Sequence, residues 1–213
     1  MSLFIDTCNY RLIVAVVDEE SGKVLTIHNE KIDGDLSSYI FTVIDDLISA
    51  ANITPNDINK IYSVVGPGSF TGIRIGVTIS KTFAWAKKIK CIPISSLEVL
   101  ASTSVSTDLV VPMIDARRAC VYGAIYDRDL NPVLEDSYIS LESLSNNLPK
   151  DKSYTFVSDE DLIYFADVVE SNVDVLKIIN KHKNDEGVNP HILNPCYLKM
   201  TEAEANLLSK KND

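Results

Sequence analysis

The sequence predicts a mixed α/β protein made of two related halves, the second shorter than the first. Three observations carry this reading: short β-rich runs that open the chain, a switch to helical periodicity after them, and a return of the same opening from Leu109 onward. Leu3 to Ile5, Leu12 to Val17 and Val24 to His28 are the first three strands, and the polar turn Asp6-Thr7-Cys8-Asn9-Tyr10-Arg11 separates the first two as in a β-meander.

From Asp35 the period changes. Leu36, Ile40, Val43, Ile44, Leu47, Ile48 and Ala51 recur at helical spacing and give one apolar stripe, which Asn52 and Thr54-Pro55 terminate. Ile58 to Val65 reads as the next strand, a glycine-rich turn follows, a second helix runs from about Ile73 to Lys88, and Cys91 to Ile94 is a short strand. A parallel strand can follow a helix only through a crossover, so the later strands belong to a mixed sheet with helices on its face.

Ser95 to Ser106, rich in small hydroxyl residues, is expected to lead through a short helix into the second half. There Leu109 to Ile114, Ala119 to Tyr126 and Val133 to Ile139 repeat the three-strand opening. Only Tyr154 to Val157 and weak helical stretches at Asp161 to Glu170 and Ala203 to Lys211 follow, so this half looks abbreviated. The expected division is residues 1–101, rejoined by 195–213, against residues 102–194.

Composition narrows the function. With 46% hydrophobic and 23% charged residues the chain has a globular balance. Its formal charge of −10 repels a nucleic-acid backbone over most of the surface, so any RNA contact must be local or borrowed from a partner. Cys8, Cys91, Cys120 and Cys196 form no CxxC pair and are expected as small thiols in a reducing compartment. An acid at Asp6 interrupts any signal-peptide run, and no stretch approaches the ~18 apolar residues of a membrane helix. The sequence therefore predicts a cytoplasmic protein without membrane contact.

Candidate chemistry is sparse. Gly66-Pro67-Gly68-Ser69-Phe70-Thr71-Gly72 lies between a strand and a helix, where backbone amides can face a phosphate at the helix N-terminus. The Walker lysine is missing, and a tight turn capped by Ser69 or Thr71 explains the same residues. Asp6-Thr7, at the carboxyl edge of the sheet, can orient a metal-bound water or simply form a turn. Asp115 and Arg117 can meet a ligand in a cleft between halves or form an ion pair. His28, His182 and His191 have no metal-ligand spacing and are expected to be ordinary, mostly surface, imidazoles. No G-x-S-x-G elbow supports a hydrolase triad.

The helices carry a further signal. Ile73, Ile75, Gly76, Val77, Ile79, Phe83, Ala84 and Ala86 cover an apolar arc wider than one core contact requires. Arg74, Lys81, Trp85 and Lys88 form a basic and aromatic strip beside it, and Tyr39 and Phe41 flank the stripe of the first helix. Either the two helices cover each other or they present a protein–protein face.

Ile5-Asp6-Thr7, Gly66-Pro67-Gly68-Ser69-Phe70-Thr71-Gly72-Ile73-Arg74-Ile75-Gly76, Pro93-Ile94-Ser95-Ser96-Leu97-Glu98, Met113-Ile114-Asp115-Ala116-Arg117 and Pro195-Cys196-Tyr197-Leu198 occur in this order. Together they make the chain resemble the bacterial TsaB (YeaZ) family over nearly its whole length. The resemblance implies an actin-like ATPase (ASKHA, ribonuclease H-like) fold of two domains with the second reduced. It implies a noncatalytic role in threonylcarbamoyladenosine synthesis beside the tRNA anticodon, activating a metal-containing TsaD-like paralogue together with a TsaE-like ATPase and threonylcarbamoyl-adenylate made by TsaC.

It also implies a homodimer in isolation, indirect contact with tRNA, and a partner interface on Leu36, Tyr39, Ile40, Val43, Ile44 and Leu47 of the first helix and Ile75, Ile79 and Phe83 of the second. No metal and no resident cofactor are expected. Any nucleotide would meet Asp6, Thr7, Gly66, Gly68, Ser69, Thr71, Gly72 and Arg74 at the subunit junction. Family members often carry a histidine where this chain has Asp33-Gly34-Asp35, and residues 159–189 match only weakly. The competing expectation is an independent ASKHA kinase or ATPase using Asp6 and the glycine loop; a metallopeptidase lacks ligands.

Overall fold

The computed structural model describes residues 1–32, 34–160 and 167–199. Its first sheet is built from β1 (Ser2–Asp6), β2 (Arg11–Asp18), β3 (Lys23–Lys31), β4 (Lys60–Val64) and β5 (Lys90–Ile94), in the order β3-β2-β1-β4-β5. β1 pairs antiparallel with β2 and parallel with β4, so it lies at the centre, and all five of its residues are buried. That position explains its unbroken run Leu3-Phe4-Ile5, whereas the half-exposed β3 alternates.

The second sheet contains β6 (Leu109–Asp115), β7 (Cys120–Asp127), β8 (Pro132–Ser140), β9 (Tyr154–Val157) and β10 (Val168–Val169), ordered β10-β9-β6-β7-β8. Each strand five places on repeats its counterpart: β6 is antiparallel to β7 and parallel to β9, as β1 is to β2 and β4. The two related halves are therefore present. Reduction is visible in the helix that follows the meander, 15 residues in α1 (Leu36–Ala50) but six in α4 (Leu141–Asn146).

Where the sequence suggested a weak helix over 161–170, residues 168–169 form the edge strand β10. β pairing with Phe156 and Val157 overrides a faint helical pattern there. Residues 161–166 and the helix expected at 203–211 lie outside the described residues. A helix not expected from the sequence, α5 (Val175–His182), begins at Asp174, whose carboxylate accepts the Lys177 amide at 3.0 Å.

α1 starts at Asp35, which accepts the Ser37 amide at 3.0 Å, and buries Ile40, Val43, Ile44 and Ile48 against the sheet. α2 (Phe70–Lys87) starts three residues earlier than its apolar pattern suggested, because Ser69 caps it. It ends on Lys88 in the left-handed conformation, with φ 56°. α1 packs on β2 and β3 and α2 on β4, so the helices lie side by side on one face of the sheet.

α3 (Ser96–Ala101) and α5 join the halves. One apolar core runs from the first sheet through Leu97, Leu100, Ile178 and Ile179 to Val110 and Ile114 of β6, while Leu109, Val111 and Met113 face a smaller core with Leu144 of α4. The alternation along β6 assigns each side chain to one of these. The chain then returns to the first sheet earlier than the expected residue 195: Lys60 Nζ donates to the Lys183 carbonyl at 2.8 Å, and Cys91 bridges to Val188.

Candidate functional site

The glycine-rich loop grips the turn after β1. Gly66-Pro67 is a cis peptide bond, the Ser69 amide donates to the Cys8 carbonyl at 2.7 Å, and the Thr7 hydroxyl donates to the Gly72 carbonyl at 2.7 Å. A Cβ on Gly72 would stand 2.1 Å from the Thr7 carbonyl oxygen, and one on Gly76 2.3 Å from Thr7 Oγ1. Those positions require glycine because β1 and α2 approach so closely.

Two amides that a bound anion would want are already engaged, Ser69 N by Cys8 and Gly72 N by the Ser69 hydroxyl at 3.3 Å. Ser69, rather than Thr71, is the cap, and Thr71 and Arg74 are exposed on the first turns of α2.

Asp6 sits behind this clasp, 3% exposed, and accepts the Cys8 amide at 2.8 Å. Burial, with the Asp159 charge as a lesser contribution, pushes its carboxyl up to about 6. Asp115 ends β6 as Asp6 ends β1, and it accepts the Arg117 amide at 2.9 Å in the same way. Its own amide donates to Glu160 at 2.6 Å. Among the described residues no Asp115–Arg117 ion pair forms. Instead the halves are tied by Arg11, which meets Asp159 at 3.5 Å and Glu170 at 2.9 Å.

His182 departs from the expected surface role. It lies between Glu98 Oε1, 2.8 Å from Nε2, and Asp185 Oδ2, 2.7 Å from Nδ1, and Lys181 joins Glu98 at 3.2 Å. The hydrogen bond to Glu98 outweighs burial and raises the imidazole above its usual range. This cluster pins α5 to α3. Sequence reasoning missed it because its members lie 84 residues apart. His28 instead meets the Tyr39 ring edge-on at 5.7 Å.

The expected partner face is split by the structure. Ile40, Val43, Ile44 and Ile79 are each 8% exposed or less and belong to this chain's own core. Leu36, Leu47, Ile75 and Phe83 are half-buried against it. Of the expected face Tyr39 is open, 48% exposed, and beside it stand Phe41, which flanks the stripe of the first helix, at 62% and Phe70 of the glycine-rich turn at 54%. A groove of about 410 Å³ between the helices is lined by Ser37 and Phe41 on one side and by Phe70, Arg74, Ile75 and Thr78 on the other. The helices therefore do not cover each other. At its end Arg74 lies 4.8 Å over the Phe70 ring, and Tyr197 of the returning chain stacks on Phe70 at 5.4 Å.

Among the described residues no group of three or more His, Cys, Asp or Glu could hold a metal ion, and no helix is long and apolar enough to cross a membrane. A family model described as TsaD, tRNA N6-adenosine threonylcarbamoyltransferase, matches residues 27–165. The chain is 31% identical to the tRNA threonylcarbamoyladenosine biosynthesis protein TsaB of Bacillus subtilis (strain 168), over 98% of each chain. It is also 31% identical to the TsaB of Escherichia coli (strain K12), over 62% of this chain and 57% of that one.

Among solved structures, an uncharacterized Pseudomonas aeruginosa protein with similarity to peptidase YEAZ superposes with TM-score 0.80 at 21% identity, covering 93% of this chain and 99% of its own. YeaZ from the same organism superposes with TM-score 0.76 at 21% identity, covering 92% and 99%. These two speak for the fold, and the full-length likeness to TsaB for the family. The duplicated sheets, the clasp around Thr7 and the two levels of similarity agree: the chain belongs to the TsaB (YeaZ) family and has the actin-like ASKHA fold.

Proposed function

We propose that this chain is a noncatalytic subunit in the biosynthesis of tRNA threonylcarbamoyladenosine, acting by docking on the catalytic, metal-containing TsaD-type paralogue. The observation that carries the reading is the aromatic-rimmed groove between α1 and α2, with Phe41 and Phe70 more than half exposed. Aromatic side chains beside an arginine are the anchors that stable protein interfaces favour. A homodimer in isolation would use the same face, and a TsaE-type ATPase would join the assembled pair.

The interior supports a scaffold rather than an enzyme. Asp6 is buried behind the clasp, and in the loop that could have cradled a phosphate the Ser69 amide and the close approach of Gly68 and Gly72 hold α2 to the turn after β1, while the Gly72 amide is taken by the Ser69 cap. In this reading the clasp stiffens the N-terminal end of α2, and the chain's contribution to transfer is to fix the shape of its partner.

The test is copurification with a TsaD-type partner and threonylcarbamoylation of tRNA, with and without this chain. Modification should require it, and Phe41→Asp should abolish both complex and stimulation while leaving the chain folded. Equal modification without the chain refutes the role. An intact complex with Phe41→Asp refutes the interface.

A further inference from the structure

We propose that the C-terminal end of α2, with the Asn189–His191 turn, is a docking site for single-stranded RNA. The site is separate from the α1–α2 groove. A second groove of about 470 Å³ runs between Trp85, Ala86, Lys88 and Lys90 on one side and Asn189, Pro190 and His191 on the other. Trp85 is 63% exposed, and its helical neighbour Ala86 is exposed and too small to shield the indole. A flat, open indole beside cations is the combination that accepts a stacked base and its phosphates.

The charges are placed for this. Among the described residues neither Lys88 nor Lys90 has an ion-pair partner, and both are exposed in a chain of net charge −10. Lys88 occupies a left-handed backbone position where glycine would be unstrained. Lys81 reaches across to the His191 carbonyl at 3.3 Å and holds the turn against the helix. Asp185, in the segment leading to the turn, is paired with His182 at 2.7 Å and does not line the groove.

A peptide partner suits the groove less well. Strand addition at β5 is blocked, because Cys91 and Val188 exchange both backbone hydrogen bonds, at 3.1 and 2.7 Å. What remains is one aromatic face and two mobile ammonium groups, which can follow a sugar–phosphate backbone without needing a fixed peptide register.

Trp85 is the single tryptophan of the chain, so its fluorescence reports on this site alone. The full chain is titrated with single-stranded eight-nucleotide oligoadenylate and oligouridylate at low salt. Quenching is expected, stronger for the adenylate, with log affinity falling against log salt at a slope of about −1.4 for two phosphates. The double variant Lys88→Glu/Lys90→Glu should bind at least tenfold more weakly. Polyglutamate should leave the fluorescence unchanged.

Absence of quenching, undiminished binding by the double variant, or equal quenching by polyglutamate overturns the proposal. The relevance of tRNA rests on the function proposed above, but the two fail separately. Phe41→Asp should lose the protein partner and keep the quenching, and Lys88→Glu/Lys90→Glu should do the reverse.

Discussion

The Thr7 hydroxyl donates a 2.7 Å hydrogen bond to the Gly72 carbonyl across 65 residues of sequence, and that one bond marks where the first strand and the second helix are clamped together. The contact is tight enough that Cβ atoms at Gly72 and Gly76 would overlap Thr7. Gly72→Ala should therefore lower stability by roughly 1–3 kcal/mol through overpacking, despite the ~1 kcal/mol by which alanine favours a helix. Urea unfolding measures it.

Gly76→Ala gives a sharper comparison, because its clash is with the Thr7 side chain and not the backbone. Thr7→Ala alone should cost about 1 kcal/mol for the lost hydrogen bond. The double variant Thr7→Ala/Gly76→Ala should be no less stable than Thr7→Ala. A double variant markedly weaker than that would falsify close approach as the reason for glycine.

Exposure separates two substitutions on the helical face. Phe41 is 62% exposed and Ile79 8% exposed. Phe41→Asp should change stability by less than about 0.5 kcal/mol while breaking the partner contact. Ile79→Asp places a charge in the core and should cost more than ~3 kcal/mol, so its loss of binding would report unfolding. Circular dichroism alongside copurification distinguishes them.

Asp6 makes a pH prediction. Its folded carboxyl is pushed up to about 6, above the ~4 of an unfolded chain, so the unfolded state ionises first as pH rises. Stability should fall between about pH 4 and 6 and carry a constant penalty above that. Asp6→Asn, which keeps an oxygen for the Cys8 amide, should stabilise the protein at pH 8 by roughly 1–3 kcal/mol and have little effect below pH 4. A gain that does not depend on pH would contradict the assignment.

His182 titrates in the opposite sense. Its folded value is raised by Glu98, so its contribution is fully present below the ordinary imidazole value of ~6.5 and is lost as pH rises through the higher folded value. His182→Gln should therefore destabilise the chain more at pH 6 than at pH 9. Urea midpoints at the two pH values decide it, and equal losses would show that the charge of His182 plays no part.

Much of the fold was readable because its cues are local. The periodicity of Ile40, Val43, Ile44 and Ile48 and the Asp35 cap specify α1, and the strand runs specify both meanders. The start of α2 was misplaced because Phe70 is exposed and adds nothing to an apolar pattern; the Ser69 cap was the better guide. α5 carried a signal that went unused, Asp174 followed by Val175, Ile178 and Ile179 at helical spacing.

The site was less legible. An apolar arc does not say which of its members a sheet will cover: Ile40 and Ile79 turned inward, and the open aromatics Phe41 and Phe70 lie outside the apolar pattern. The Arg11–Asp159 and Glu98–His182 contacts join residues so far apart that only the folded chain reveals them.

The late return of the chain has a consequence for synthesis on the ribosome. β5 is the edge of the first sheet, and its guard, Val188, together with the Cys196 amide that donates to Val65 at 2.7 Å, comes from the far end of the message. Throughout translation of the second half the nascent first half shows an unguarded β edge, which is a template for pairing with a neighbouring nascent chain. Stalled or truncated products ending before residue 188 should therefore be the aggregating species.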